Sequence, residues 1–157
     1  MTLIQSIDPG VKFGSALIEG GKLIWSGRHL PVREVDLAVC EDQHSRGAKT
    51  RQKTIYRTCQ TAGWLLAHTL AKSHGYVSVA DWRGALLGRP QISKLASCRE
   101  VWRMVGPLPG VPEIPTDTTP EVWLDELDAI GIGLAVHKAP NIVRKIARRL
   151  RSVFQVP

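Results

Sequence analysis

The chain has 157 residues, and its 21 lysines and arginines outnumber its 14 acidic residues, giving a net charge of +7. This length suits one domain over residues 1–157, and the apolar content argues against a disordered chain. The positive charge favours a polyanionic partner, either nucleic acid or an acidic membrane surface. Three cysteines without a CxxC spacing disfavour a disulfide framework or a zinc site. With no secretory signal pattern and no apolar run of about 18 residues, we expect a soluble cytoplasmic protein with no membrane partner.

Strand patterns dominate the first quarter of the chain. The first apolar run ends on a carboxylate, Asp8, before a Pro-Gly break. Gly20-Gly21 predicts a two-residue hairpin turn. The run VDLAVCE is continuously apolar, which is typical of a strand covered on both faces, and it reaches an acid at Glu41. The predicted strands cover about residues 2–8, 11–19, 22–29 and 35–41.

The rest of the chain is mainly helical in pattern. Apolar residues at 3–4 spacing predict a long helix that Gly75 ends. Thr118 or Thr119 is expected to cap a later helix, and Gly131 and Gly133 inside that helix indicate close packing against the sheet. The predicted elements are a helix over about 51–73, a strand over 76–80, and helices over about 93–104, 120–138 and 141–153, the last of them basic.

Acidic side chains occur at three places where such a fold would bring them together. If the fourth strand lies parallel beside the first, their carboxyl ends are neighbours about 4.8 Å apart, which places Asp8 next to Glu41. Asp125 and Asp128 are spaced i, i+3 and project from one helix face. Oxygen-only ligands select a hard ion, Mg²⁺ or Mn²⁺. Two such ions about 3.5–4 Å apart can promote in-line cleavage of a phosphodiester. The pattern therefore predicts a nuclease-type metal site.

Each acid also has a simpler interpretation. Asp8 before Pro-Gly could be a turn former, and Glu41 could pair with an arginine. The Asp125–Asp128 pair could belong to a solvated helix face. The occurrence of all four acids on these elements, in a basic chain, favours the metal site.

The motifs also resemble a known family. The segments SIDPG, CEDQ and DELDAIGIGLAVH resemble the three acidic motifs of RuvC-type Holliday-junction resolvases, members of the ribonuclease H-like superfamily. TAGWLLAHTLAKSHG and WRGALLGRPQISK resemble the middle section of that family, and the small size of the chain favours a short phage-type member. The resemblance implies an α/β fold, with a mixed five-stranded sheet (three antiparallel strands plus two parallel) flanked by helices.

The resemblance also implies a function in DNA recombination and repair, in a bacterial or phage-infected cell. It assigns catalysis and the binding of two Mg²⁺ ions per site, with Mn²⁺ as a substitute, to Asp8, Glu41, Asp125 and Asp128. It implies a homodimer that cuts two symmetry-related strands of a four-way DNA junction, without a small-molecule cofactor. Two alternatives stay open: a ribonuclease H-like nuclease acting on RNA or an RNA–DNA hybrid, and a non-catalytic junction-binding protein.

Several further residues are candidates for contact with the substrate. Lys94 is expected to act in catalysis by contacting the scissile phosphate, although a surface lysine explains it equally well. His44 stands where bacterial members carry an aromatic wedge residue, and either His44 or Tyr56 could stack on an unpaired base. Trp64 and Leu65 could form a dimer face or pack in the core. The DNA-binding candidates are His44, Arg46, Lys49, Arg51, Lys53, Arg83, Arg89, Arg148 and Arg149.

Overall fold

The computed structural model describes residues 2–10, 13–42 and 52–146, with the backbone alone for 52–58 and for 145. The strands are β1 (Leu3–Asp8), β2 (Gly14–Glu19), β3 (Lys22–Gly27), β4 (Glu34–Asp42), β5 (Leu70–Ser78) and the short β6 (Arg144–Lys145). The helices are α1 (Gln52–Ala67), α2 (Val79–Leu87), α3 (Lys94–Val105) and α4 (Glu121–Lys138), followed by a 3₁₀ turn (Pro140–Ile142).

These strands form one mixed sheet in the order β3-β2-β1-β4-β5-β6. The first three strands are antiparallel neighbours, whereas β4 lies parallel to β1 and β5 lies parallel to β4. Two-residue β6 then pairs antiparallel with β5, which adds a short edge strand to the predicted sheet. The predicted α/β fold class, with three antiparallel and two parallel strands flanked by helices, is confirmed.

The sheet is covered by helices on both faces, and the alternation of side chains decides what faces each layer. Ile4 and Val39 pack with α4, whereas Ile7 and Ala38 pack with α1 on the other face. Because side chains alternate along a strand, Asp8 shares the face of Ile4, and Glu41 shares the face of Val39. Both acids therefore lie on the side of the sheet that α4 covers.

Helix α4 approaches the sheet closely, as its glycines predict. A Cβ at Gly133 would lie 2.5 Å from Cγ1 of Ile18 and 2.6 Å from Oγ of Ser6, so only glycine fits there. The Ser6 hydroxyl donates a 2.6 Å hydrogen bond to the carbonyl of Ala129 one turn earlier. Gly131 has a different neighbour, because a Cβ there would meet the ring of Trp82 on α2 at 2.7 Å. These contacts position the acidic first half of α4 over the strand ends.

The predictions for residues 51–80 were partly wrong. Helix α1 ends at Ala67, and Leu70, which was assigned to the helix, begins β5. Gly75, the predicted helix stop, lies inside that strand and pairs with Val39 of β4. The residues predicted to end the strand instead begin α2, where the Ser78 hydroxyl accepts a 3.1 Å hydrogen bond from the amide of Asp81. The pairing of eight β5 residues with β4 outweighs the local helical periodicity.

Two helix-end predictions also differ from the structure. The N-cap of α4 is Pro120, without a side-chain cap; the Thr119 hydroxyl instead accepts a 2.9 Å hydrogen bond from the amide of Thr116. The predicted basic helix over 141–153 is replaced at its start by the 3₁₀ turn and β6, because the free edge of β5 offers backbone partners. Its remaining residues, from 147 onward, lie outside the described part of the chain.

A membrane-spanning helix is absent from the described ranges, where every helix is too short or too polar to cross a bilayer.

Candidate metal centre

Three buried carboxylates meet where the parallel strands β1 and β4 end beneath α4. One carboxylate oxygen from each of Asp8, Glu41 and Asp128 lies within 4.8 Å of the others. Their residues are only 1%, 2% and 2% exposed. Ile7 pairs with Cys40 in the parallel register, so the next residue of each strand is an acid at the same sheet edge. The expected proximity of Asp8 and Glu41 follows from this register.

The electrostatics of the cluster are unfavourable without a cation. Neither carboxylate oxygen of Asp8 has a hydrogen-bond partner among the described residues. Burial, and then the charges of Glu41 and Asp128, hold the pKa of Asp8 well above its usual range. Burial, followed by the charge of Glu41, also raises the pKa of Asp128 to about 7. An all-oxygen donor set that includes a buried carboxylate without a hydrogen-bond partner in the described part of the chain fits a hard divalent ion such as Mg²⁺ or Mn²⁺.

Asp125 lies beside this cluster and is joined to it by Lys94, the first residue of α3. The Lys94 ammonium donates hydrogen bonds of 2.5 Å to Oδ1 of Asp125 and 2.7 Å to Oε1 of Glu121. It also lies 3.8 Å from Oδ2 of Asp8 and 3.7 Å from Oδ2 of Asp128. Burial alone would lower the pKa of Lys94, but these acids outweigh burial and hold the pKa above its usual range. The lysine is therefore a cation inside the acidic site.

Two neighbouring residues on α2 contact the acids from the side. The indole N–H of Trp82, which is fully buried, donates a 3.2 Å hydrogen bond to Oε2 of Glu41. Nη2 of Arg83 forms a 3.6 Å ion pair with Oδ2 of Asp128, and Nη1 donates a 2.9 Å hydrogen bond to the carbonyl of Ile92. Arg83 was expected to contact DNA, but it is only 8% exposed. Its position favours holding Asp128 in place.

A third contact comes from α3. The Cys98 thiol lies 3.6 Å from Oδ1 of Asp128, to which it donates a hydrogen bond. Burial, then the charge of Asp128, raises the pKa of this thiol, so it keeps its proton. The sequence patterns indicate no role for Trp82 or Cys98. The presence of a tryptophan at position 82 is the one feature that could have suggested such a contact, because a buried indole N–H usually requires a hydrogen-bond acceptor.

The acids are reached through a cleft of ≈ 400 Å³ between α2 and the start of α3. Its lining includes Glu41, Arg83, Lys94 and Asp128. The cleft therefore gives a substrate access to two of the three clustered carboxylates and to the lysine.

The DNA-binding candidates outside the cleft are only partly described. Arg89 is exposed between α2 and α3, where Nη2 lies 3.4 Å from Oε1 of Glu100. The side chains of the remaining candidates lie outside the described residues; they are His44, Arg46, Lys49, Arg51, Lys53, Arg148 and Arg149. The side chain of Tyr56 also lies outside them. Their DNA contacts stay predictions.

Trp64 and Leu65, the two candidates for a dimer face, lie in different environments. Leu65 is buried against the sheet, as the core-packing alternative expects. Trp64 is 57% exposed on α1, and its ring lies 4.0 Å from that of His68, centroid to centroid.

No protein-family model matches this sequence, and no curated protein is significantly similar to it. Among solved structures, the chain is similar to RuvC of Thermus thermophilus, with 14% identity over 92% of this chain and 99% of that one and a TM-score of 0.56. It is also similar to T. thermophilus RuvC in complex with a Holliday junction substrate, with 14% identity over 93% and 100% of the two chains and a TM-score of 0.62. The predicted resemblance is thereby confirmed at the level of the ribonuclease H-like fold.

Proposed function

We propose that this protein is a metal-dependent, structure-specific endonuclease that resolves four-way DNA junctions by paired phosphodiester cleavage as a homodimer. The observation that carries the proposal is the buried cluster of Asp8, Glu41 and Asp128 at the end of the parallel strands. The cluster sits in a fold shared with a protein solved in complex with a Holliday junction. The net charge of +7 supports a polyanionic substrate.

The three clustered acids are the residues that would hold a divalent ion, and we assign Asp125, which pairs with Lys94 beside them, to a second set of ligands. When bound, Mg²⁺ would activate water for attack and stabilise the leaving oxygen of the cleaved phosphodiester. The chain itself supplies the fixed oxygen donors: Asp8 and Glu41 are held by strand pairing, and Asp128 by α4.

The neighbouring side chains would orient these donors and receive the substrate. Trp82 orients Glu41, while Arg83 and Cys98 orient Asp128. We assign to Lys94, which lines the cleft, the contact with the non-bridging oxygens of the reacting phosphate. Water has access through the same cleft, as hydrolysis requires.

Cleavage assays would test this proposal directly. We expect symmetric paired cuts in a four-way DNA junction with Mg²⁺ or Mn²⁺ and none with EDTA, whereas linear duplex DNA should stay intact. Preferential cleavage of an RNA–DNA hybrid or of RNA would instead identify a ribonuclease H-like nuclease. Tight junction binding without a cut in either metal would identify a non-catalytic binding protein.

The assembly can be tested separately, because the described part of a protomer carries one such cluster and paired cleavage needs two. Sedimentation should show a dimer at micromolar concentration, with or without junction DNA. A monomer under both conditions would contradict paired cleavage by a homodimer.

A further inference from the structure

A second cavity lies on the other flank of α4 from the metal centre. Its volume is ≈ 490 Å³, and its lining includes Arg28 and His29 after β3, together with Trp123 and Glu126 on α4. Glu126 directly follows Asp125 in the chain, so the cavity and the acidic site share the first turns of this helix. The sequence patterns gave no role to these four residues.

The cavity opens at the same edge of the sheet as the acids. Asp8 pairs with Gly14 of β2, and the next residue of β2, Ser15, pairs with Gly27 at the end of β3. Two strand spacings therefore separate Gly27 from β1, or about 10 Å. Ser26 faces α4, because its hydroxyl donates a 2.6 Å hydrogen bond to Oε1 of Glu126. A nucleic-acid strand crossing this edge would therefore contact both sites.

An aromatic ring and a cation form the mouth of the cavity. The guanidinium carbon of Arg28, an exposed residue, lies 4.6 Å from the centroid of the Trp123 ring. The loop before α4 closes on the same ring at Gly110, where a Cβ would collide with the indole. The Trp123 ring is therefore held in place by the loop, and the planar guanidinium of Arg28 lies over it. Tryptophan faces that accept a planar cation also accept nucleobases, and arginine binds phosphate.

The floor of the cavity is acidic. Glu126 is buried and accepts a hydrogen bond from Ser26. An ionised carboxylate accepts hydrogen bonds and cannot donate them, so a group that faces it must be a donor. Cytosine, adenine and guanine carry an exocyclic amino group, whereas thymine carries none. The charge pattern thus separates a basic mouth, suited to phosphate, from an acidic floor, suited to an amino group.

We propose that this cavity binds one nucleotide of the substrate strand near the cleaved bond: its base replaces the Arg28 guanidinium on the Trp123 ring, its exocyclic amino group faces Glu126, and the displaced Arg28 pairs with its phosphate. The inference rests on the proposed nucleic-acid cleavage and adds a second contact site to it. It assigns base preference to residues outside the acidic cluster.

Junction binding in EDTA, followed by fluorescence anisotropy, tests the site without relying on cleavage. Trp123→Leu should weaken binding about 5- to 100-fold, and Trp123→Phe, which keeps a ring, should retain most of the affinity. Arg28→Met should reduce the magnitude of the log–log salt slope by roughly 1. The matched control is Met104→Ala, which removes an exposed apolar side chain from α3 outside the lining of both cavities and should change affinity less than twofold. Thermal melting of each variant checks that it is folded.

Base preference provides the second measurement. Junctions with cytosine near the cleavage point should bind more tightly than junctions with thymine at the same position, and Glu126→Gln should reduce the difference. Wild-type affinity in folded Trp123→Leu and Arg28→Met, or equal affinity for every base tested, would overturn the inference. If the wild-type protein cuts junctions while these variants bind normally, only the cavity assignment fails. If the wild-type protein cuts no nucleic acid in Mg²⁺ or Mn²⁺, the proposed function is wrong, and the cavity assignment that rests on it is wrong as well.

Discussion

The ammonium of Lys94 donates a 2.5 Å hydrogen bond to Oδ1 of Asp125, so a lysine from α3 serves as a counter-ion for acids on α4. The same ammonium lies within 4 Å of Asp8 and Asp128, which are candidate metal ligands. Lysine and a divalent ion would therefore compete for the same carboxylates. The charge balance of the site without metal depends on this one side chain and on Arg83.

Replacing Lys94 by Met should strengthen Mn²⁺ binding in the absence of DNA by about tenfold, because a competing positive charge is removed from the acids. Junction cleavage should nevertheless fall, by roughly 10²–10³, because the cation that we propose to stabilise the reacting phosphate is lost. Isothermal titration calorimetry measures the first effect. Lys94→Arg keeps the charge and is the control. Weaker Mn²⁺ binding by Lys94→Met would contradict the competition.

Changing the acids themselves should separate binding from cutting. Asp8→Asn, Glu41→Gln and Asp128→Asn each remove a candidate metal-binding charge, so cleavage should fall by at least about 10²–10³. Junction binding in EDTA should survive, because the negative charge facing the phosphates is reduced. Asp117→Asn, in the exposed loop before α4, is the charge-matched control. Near-normal cleavage by any of the three variants would exclude that acid from the reaction.

The hydrogen bond from Trp82 to Glu41 should matter for the metal more than for folding. Trp82→Phe keeps an aromatic ring against Gly131 but removes the indole N–H, so metal affinity should fall about 10- to 100-fold. The matched control is Trp102→Phe, whose indole N–H donates a 2.9 Å hydrogen bond to the carbonyl of Val111 instead. Calorimetry and thermal melting would be run on both variants. Equal metal affinity in the two would assign Trp82 a packing role alone.

The raised pKa of Asp128 predicts a pH-dependent stability. Its pKa is about 7 in the folded protein against an ordinary value of 3.8, so between these values the folded state holds a proton that the unfolded chain has released. The resulting stabilisation is complete below about pH 4 and is lost as the pH rises through 7. The Tm of the metal-free protein should therefore fall between about pH 5 and 8. The Tm of the Asp128→Asn variant should fall less steeply over the same range. A Tm that rises over this range in the metal-free wild type would contradict the assignment.

The close contact of α4 with the sheet predicts opposite effects at two glycines. Gly133→Ala would place a methyl group 2.5 Å from Ile18, so unfolding free energy should fall by about 1–3 kcal/mol. A Cβ at Gly63 on α1 would meet no described atom within 4 Å, so Gly63→Ala should be neutral or stabilise by up to about 1 kcal/mol. Urea denaturation measures both. A similar gain in the two variants would indicate a helix-propensity effect alone and would contradict the close contact at Gly133.

The local sequence pattern was sufficient to predict those parts of the site that depend only on the type of each element and on the alternation of its side chains. Asp8 and Glu41 end apolar strands with the same inward face as Ile4 and Val39, so once β1 and β4 are parallel neighbours the two acids must meet. The i, i+3 spacing likewise predicted that Asp125 and Asp128 share a helix face. Both inferences rest on periodicities that the backbone imposes within a single element.

Contacts between elements distant in the chain were decided by the tertiary structure. The segment from Leu70 has helical spacing but forms β5, because eight of its residues pair with β4 and local propensity is worth less. The donor to Glu41 comes from Trp82, 41 residues away, and depends on a glycine of α4 that leaves room for its ring. Lys94 reaches Asp125 across 31 residues, and Arg28 stacks on Trp123 only because β3 ends beside α4. Such contacts depend on the packing of whole elements, which no local periodicity encodes.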